Sequence, residues 1–161
     1  DNLHPGERDA QKGKLANPTG GVIRSDSQGD GAWLAPRGTR KHLAIDLSAT
    51  NGQDVVSPVD GAAVHFTGAK TGYPIVDITP SDASLGIDKI RILYVDAPAG
   101  TKAWSSSSVT AGQVIGTVTD IQTLTNFGSG SLYSSGITPH VHVQVYSGGS
   151  LVDPTPYFFG P

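Results

Sequence analysis

The stretch Pro139-His140-Val141-His142-Val143-Gln144-Val145-Tyr146 decides how the chain is read. Valine at every second position is the period of a half-buried β-strand. Val141, Val143 and Val145 therefore face a core, while His140, His142, Gln144 and Tyr146 share the opposite face. Side chains two apart on one strand face start from Cα atoms roughly 6.6–7 Å apart. That spacing suits one imidazole to a metal ion and its neighbour to the water beside that ion.

Outward from this strand, short apolar runs alternate with clusters of Gly, Pro, Asp, Asn and Ser. They predict further strands at Val22–Arg24, Leu43–Leu47, Asp54–Ser57, Ala62–Thr67, Ile75–Thr79, Lys89–Val95 and Val114–Val118. Only Ile121–Phe127 reads as a turn or two of helix. The expected fold is mainly β, a single antiparallel β-sheet domain over residues 21–161 with long loops forming a groove. An extended arm is expected over residues 1–20, where Pro5, Gly6, Gly13, Pro18 and Gly20 break regular structure and His4 has no evident role. The loops are Gly68–Tyr73, Ser81–Asp88, Ala97–Ser108 with its serine run Ser105–Ser108, and Gly128–Thr138.

The 161 residues suit one domain with a real core. Eleven Lys+Arg against 14 Asp+Glu give a net charge of -3, so the chain carries no basic footprint for nucleic acid or an anionic membrane surface. Its apolar runs fall well short of the ~20 residues of a membrane span. The reading is a soluble monomer with neither partner. With no cysteine, disulfides and thiolate metal sites are excluded, and any metal rests on His, Asp or Glu. The lack of methionine and the start at Asp1 suggest a processed segment.

The second histidine cluster is Arg40-Lys41-His42-Leu43-Ala44-Ile45-Asp46. In a straight strand, His42 and Asp46 would stand about 13 Å apart, whereas two ligand atoms of one zinc ion lie within about 4.4 Å. The chain must therefore bend near His42, and Arg37-Gly38-Thr39-Arg40 supplies a turn just before it. His42, Asp46 and His142 then make three ligands of a tetrahedron whose fourth position stays open to water, the mark of a catalytic site.

Together these motifs resemble the lysostaphin-like, LytM-type zinc endopeptidases, whose signature is H-x-x-x-D followed far downstream by H-x-H. Gly52, Val55, Pro58, Gly61-Ala62-Ala63-Val64, Ala111 to Gly116 and Asp153-Pro154 extend the likeness over roughly Val22–Phe158. The resemblance implies Zn²⁺ on His42, Asp46 and His142, with His140 as general base. It also implies a peptidoglycan peptide substrate and an extracellular or periplasmic setting. One position departs: the family carries Y-x-H where this chain has Tyr94-Val95-Asp96, so Asp96 stands in place of a histidine. A carboxylate donates a proton to an oxyanion only if it is held protonated. Asp96 is then either a residue that orients His140 or a turn residue before Ala97-Pro98.

The same departure is similar to leukocyte cell-derived chemotaxin 2, a zinc-bearing protein of this fold without the full catalytic set. The likeness rests on Ile23-Arg24, Gly29-Asp30-Gly31, Arg37 to His42 and Thr138 to His142. It gives an alternative function, a catalytically impaired zinc module that binds protein or glycan partners.

Three further residues are candidate substrate contacts. Tyr94 shares a face with Asp96 by parity, and either packs or offers its hydroxyl. Arg40, with Arg37 and Lys41, either neutralises a peptide carboxylate or forms a solvated turn. His65 has Val64 and Phe66 on the opposite strand face, and points either to solvent or to substrate. Trp33 and Trp104 either line a peptide groove or pack.

Overall fold

Most of the expected strands hydrogen-bond into one antiparallel sheet in a computed structural model, which describes residues 15–126, 129–131 and 137–160. In chain order the strands begin with β1 (Ser25–Asp26), β2 (Gly29–Asp30), β3 (Pro36–Arg37), β4 (Arg40–Lys41), β5 (Ile45–Ser48) and β6 (Asp54–Val56). They continue with β7 (Gly61–Thr67), β8 (Pro74–Pro80), β9 (Lys89–Leu93), β10 (Val95–Asp96) and β11 (Ser106–Val109). The last are β12 (Val114–Val118), β13 (Thr125–Asn126), β14 (Ser129–Ser131), β15 (His140–Ser147) and β16 (Ser150–Val152), followed by helix α1 (Thr155–Phe159).

The main sheet runs β11-β7-β8-β9-β15-β16, and β5 also pairs with β15. Because β9 takes one edge of β15 from His142 to Tyr146, β5 and β16 share the other edge, β5 at the His140 end. A smaller sheet, β10-β12-β6, lies beside it, and β1-β2, β3-β4 and β13-β14 are ribbons. The core is built from the apolar alternation. Ile45, Leu47, Val55, Ile78, Ile90, Ile92, Val141 and Val143 are all fully buried. Of the expected arm, residues 1–14 and His4 lie outside the described residues, whereas Leu15 is buried and Ala16 donates its N–H to the Pro58 carbonyl at 3.1 Å.

Four expectations are corrected. The strand expected over Lys89–Val95 breaks at Tyr94, whose φ of 72° is left-handed, and β10 leaves to pair with β12. Parity between Tyr94 and Asp96 therefore fails, with Tyr94 buried and Asp96 exposed. Gly116 makes this switch feasible, since a Cβ there would run into the Asp96 carbonyl. The serine run is not a loop but the edge strand β11, in register with β7 from Ser106↔Val64 to Val109↔Gly61. An edge strand needs only backbone pairing, so exposed serines with no apolar alternation can form it. Of the stretch expected to turn as a helix, Ile121–Thr123 forms one 3₁₀ turn capped by the Asp120 carboxylate and Thr125–Asn126 is the extended β13, while Phe127 lies outside the described residues. Finally, His65 does not face solvent. It is 8% exposed and donates from Nε2 to the Ile115 carbonyl at 2.7 Å, tying β7 to β12.

Ile92→Ala should lower unfolding free energy by about 2–5 kcal/mol through the cavity it leaves in the centre of the main sheet. Ser107→Ala, on the exposed face of β11, should change it by no more than about 0.5 kcal/mol. Denaturant titration of both variants at fixed metal content checks the contrast.

Candidate metal centre

The β3–β4 hairpin turns the chain through Gly38, whose φ is 64°, and delivers His42 into a bend before β5 begins. His42 is fixed there by its backbone, which donates to the Ala35 carbonyl at 2.9 Å and accepts from Leu34 N–H at 2.7 Å. Its Nδ1–H donates to the Ala32 carbonyl at 3.0 Å, which leaves the Nε2 lone pair free for a ligand. The bend brings His42 Nε2 to 3.3 Å from Asp46 Oδ1. Across the sheet, the β5–β15 register sets Asp46 directly opposite His142, and His142 Nδ1 lies 3.2 Å from the same Oδ1. His42 Nε2 and His142 Nδ1 are 3.3 Å apart.

These edges of 3.2–3.3 Å match the ligand-to-ligand spacing of roughly 3.3–3.4 Å in a tetrahedral zinc site with bonds of about 2.0–2.1 Å. Two imidazoles and one carboxylate are also the donor set of an open zinc site. Among the described residues, His42, Asp46 and His142 form a group able to hold a metal ion.

The two oxygens of Asp46 are divided. Oδ1 faces the histidines, while Oδ2 accepts from Arg24 Nε at 3.2 Å and lies 3.7 Å from Arg37 Nη2 and from His140 Nε2. Burial works against the ionised carboxylate, but its contacts with the ring nitrogens of His142 and His42 outweigh this and hold its pKa far below the ordinary range. Arg24, 4% exposed, continues to Asp26 at 2.8 Å, and Asp26 accepts the Thr138 N–H at 2.6 Å just before β15. Asp26 has its pKa lowered to about 2; burial opposes this, and the backbone hydrogen bonds from Thr138 and Gln28 with the Arg24 contact outweigh it. Gly31 closes over the group, because a Cβ there would come within 2.6 Å of Asp46 Cβ. Sequence reading did not find this brace. Arg24 and Asp46 are 22 residues apart, and no local pattern links them.

His140, 2% exposed, donates its Nδ1–H to the Thr138 carbonyl at 2.8 Å, so Nε2 carries the lone pair. Burial pushes its pKa down, partly offset by Asp46, which favours the neutral ring. The orienting partner sequence reading sought in Asp96 is here the Thr138 carbonyl. Tyr94 stacks edge-on against His140 with ring centroids 5.5 Å apart.

A cavity of about 630 Å³ opens over these residues and gathers His42, Asp46, His140, His142, Tyr94 and Arg40. Asp96 and His65 are elsewhere. They line a separate recess of about 170 Å³ with Phe66, Pro74 and Ala103, and Asp96 accepts from the Thr119 hydroxyl at 2.8 Å. Trp33 packs half-buried against the main core, while Trp104 is 70% exposed and stacks on Phe66 at 4.4 Å. Neither lines the larger cavity.

Comparison with known proteins gives a likeness of fold. No family model matches the sequence, and no curated protein matches it. Among solved structures, Csd3 of Helicobacter pylori shares 26% identity at a TM-score of 0.58 over 91% of this chain and 33% of its own. A zinc-containing peptidase from Vibrio cholerae shares 20% identity at a TM-score of 0.55, covering 89% of this chain and 40% of that one. The catalytic domain of the antimicrobial peptidase lysostaphin from Staphylococcus simulans shares 22% identity at a TM-score of 0.55, covering 84% of this chain and 92% of that domain. The chain thus has the lysostaphin-type peptidase fold, and spans a third to two fifths of the length of the first two proteins.

Arg24→Met should weaken zinc binding about 10–100-fold by freeing Asp46 Oδ2, as read by chelator competition. Unchanged affinity would show that Arg24 does not orient the ligand. Asp26 gives a pH test. A carboxyl with a lowered folded pKa stabilises above its unfolded pKa near 3.8, and that contribution disappears as pH falls through about 2. In metal-free protein, Asp26→Asn should therefore lose less stability than the parent between those limits, measured as thermal midpoints at both ends.

Proposed function

We propose that the protein is a zinc-dependent endopeptidase that hydrolyses peptide bonds in peptidoglycan stem peptides or cross-bridges, acting outside the cytoplasm. The observation that carries the reading is the His42, Asp46 and His142 triangle at tetrahedral edge lengths, open on one side to the cavity where His140 Nε2 is presented. The substrate class rests on the family resemblance of the H-x-x-x-D and H-x-H motifs and is supported by the shared fold.

The ion would sit on His42 Nε2, Asp46 Oδ1 and His142 Nδ1. Bound there, zinc supplies a Lewis acid that activates water and polarises a peptide carbonyl. The chain's own contribution begins with His140. Its Nδ1–H stays on Thr138, so Nε2 takes a proton from the attacking water as the oxygen bonds to the carbonyl carbon. His140 then returns that proton to the leaving amine as the carbon–nitrogen bond breaks. The lowered pKa keeps this base neutral and ready near neutral pH. Arg24 holds Asp46 so that Oδ1 remains directed at the ligand position.

A second reading is favoured by one observation: Asp96 stands in the smaller recess, so no fourth imidazole joins His42, His140 and His142 among the described lining residues of the cavity. In that reading the same zinc site fixes a binding module for protein or glycan partners. Zinc-loaded protein incubated with purified sacculi of several cross-link types should release fragments with new peptide ends by mass spectrometry. His142→Ala should lose both zinc and cleavage. His140→Ala should keep zinc and slow cleavage by about 10²–10⁴-fold. Stoichiometric zinc without any fragment release would favour the binding module, and a large gain of activity in Asp96→His would show the native site to be impaired.

A further inference from the structure

The β3–β4 hairpin forms one wall of the cavity and is strongly cationic, although the chain as a whole is acidic at -3. Its register puts Arg37 directly opposite Arg40, with Lys41 next along the strand. Two guanidinium groups opposite each other on a two-stranded ribbon repel, so the pair costs stability unless an anion lies between them. Among the described residues one carboxylate reaches this pair, Asp46 Oδ2 at 3.7 Å from Arg37 Nη2, and none reaches Arg40. Arg37 is tied to backbone carbonyls, donating to Asp30 at 2.8 Å and Pro36 at 3.0 Å. Arg40 and Lys41 are exposed and make no ion pair among the described residues. Among the described residues the cavity's acidic lining residue is Asp46, whose oxygens are already engaged by Arg24, Arg37 and the two ligand histidines, which leaves Arg40 and Lys41 without an anion. A divalent ion on the triad would raise the positive charge further.

We infer that Arg40 and Lys41, backed by Arg37, form a carboxylate clamp that selects peptides carrying a free carboxylate close to the scissile bond. This specificity rests on the peptidase reading for its position but not for its chemistry. The carboxylate comes either from an acidic side chain or from a free C-terminus. Arginine suits the role because its planar fork pairs with both carboxylate oxygens.

Four synthetic stem-type peptides of equal length separate the sources: acidic side chain with C-terminal amide, neutral side chain with free C-terminus, both carboxylates, and neither. Calorimetric binding to zinc-loaded His140→Ala protein reads recognition without turnover. At least one single-carboxylate peptide should bind about tenfold more tightly than the uncharged one, the advantage shrinking with added salt. The double variant Arg40→Gln, Lys41→Gln should lose that advantage while keeping its zinc. In the protein with His140 intact, the double variant should raise KM for the favoured peptide and leave kcat near its starting value. Equal binding of charged and uncharged peptides, no binding of any, or a preference that survives the double variant would overturn the clamp. Cleavage without charge preference would overturn the clamp and leave the peptidase standing. Charge preference without cleavage would do the reverse.

Discussion

The pairing of β5 with β15 in one register is the constraint on which the rest of the site depends. It sets Asp46 across from His142 and Ser48 across from His140, so two strands nearly a hundred residues apart in the chain bring a carboxylate and two imidazoles to one sheet surface. A slip of β15 by one residue would send His140 and His142 into the core and turn Val141 and Val143 outward, away from Ile45 and Leu47. The four apolar side chains are fully buried, so the hydrophobic pattern that stabilises the sheet also fixes how Asp46 and His142 face each other. Folding and site assembly are one event. The third member of the candidate group, His42, comes from outside the sheet, and the bend after β4 lets it reach back to Asp46.

Electrostatics then decide what that geometry can do. A carboxylate buried to 3% exposure is costly unless several donors reach it. Asp46 meets this by using its two oxygens differently, Oδ2 against Arg24 and Oδ1 toward the histidines. Arg24 is held in turn by Asp26, which also fastens the chain just before β15. The brace links the β1–β2 hairpin to the strand that carries both site histidines, so the orientation of Asp46 and the placement of His140 share one network.

The break at Tyr94 separates the surfaces that Tyr94 and Asp96 reach. A left-handed residue ends β9 and sends β10 into the smaller sheet. Tyr94 remains buried against His140, whereas Asp96 emerges beside His65 and Thr119. Two positions that look adjacent in a strand thus serve different surfaces. The cavity is left with His140 as its candidate base and a cationic hairpin as one wall.

By itself, the sequence determined the mainly β architecture and most of its strands, and it singled out His42, Asp46 and His142, which the fold brings together as a group able to hold a metal ion. Those features follow from local rules: a two-residue period, turn residues, and the short reach between zinc ligands. Val141, Val143 and Val145 revealed the face of β15, and Gly38 the bend that delivers His42. Only the tertiary structure decided the Arg24–Asp26 brace, the burial of His65, the pairing of a serine run at a sheet edge, and the separation of Asp96 from His140. Each of these depends on a partner far along the chain or on one backbone torsion. Neither leaves a periodic trace in the residues themselves, because register and sheet switching are set by the packing of the whole domain.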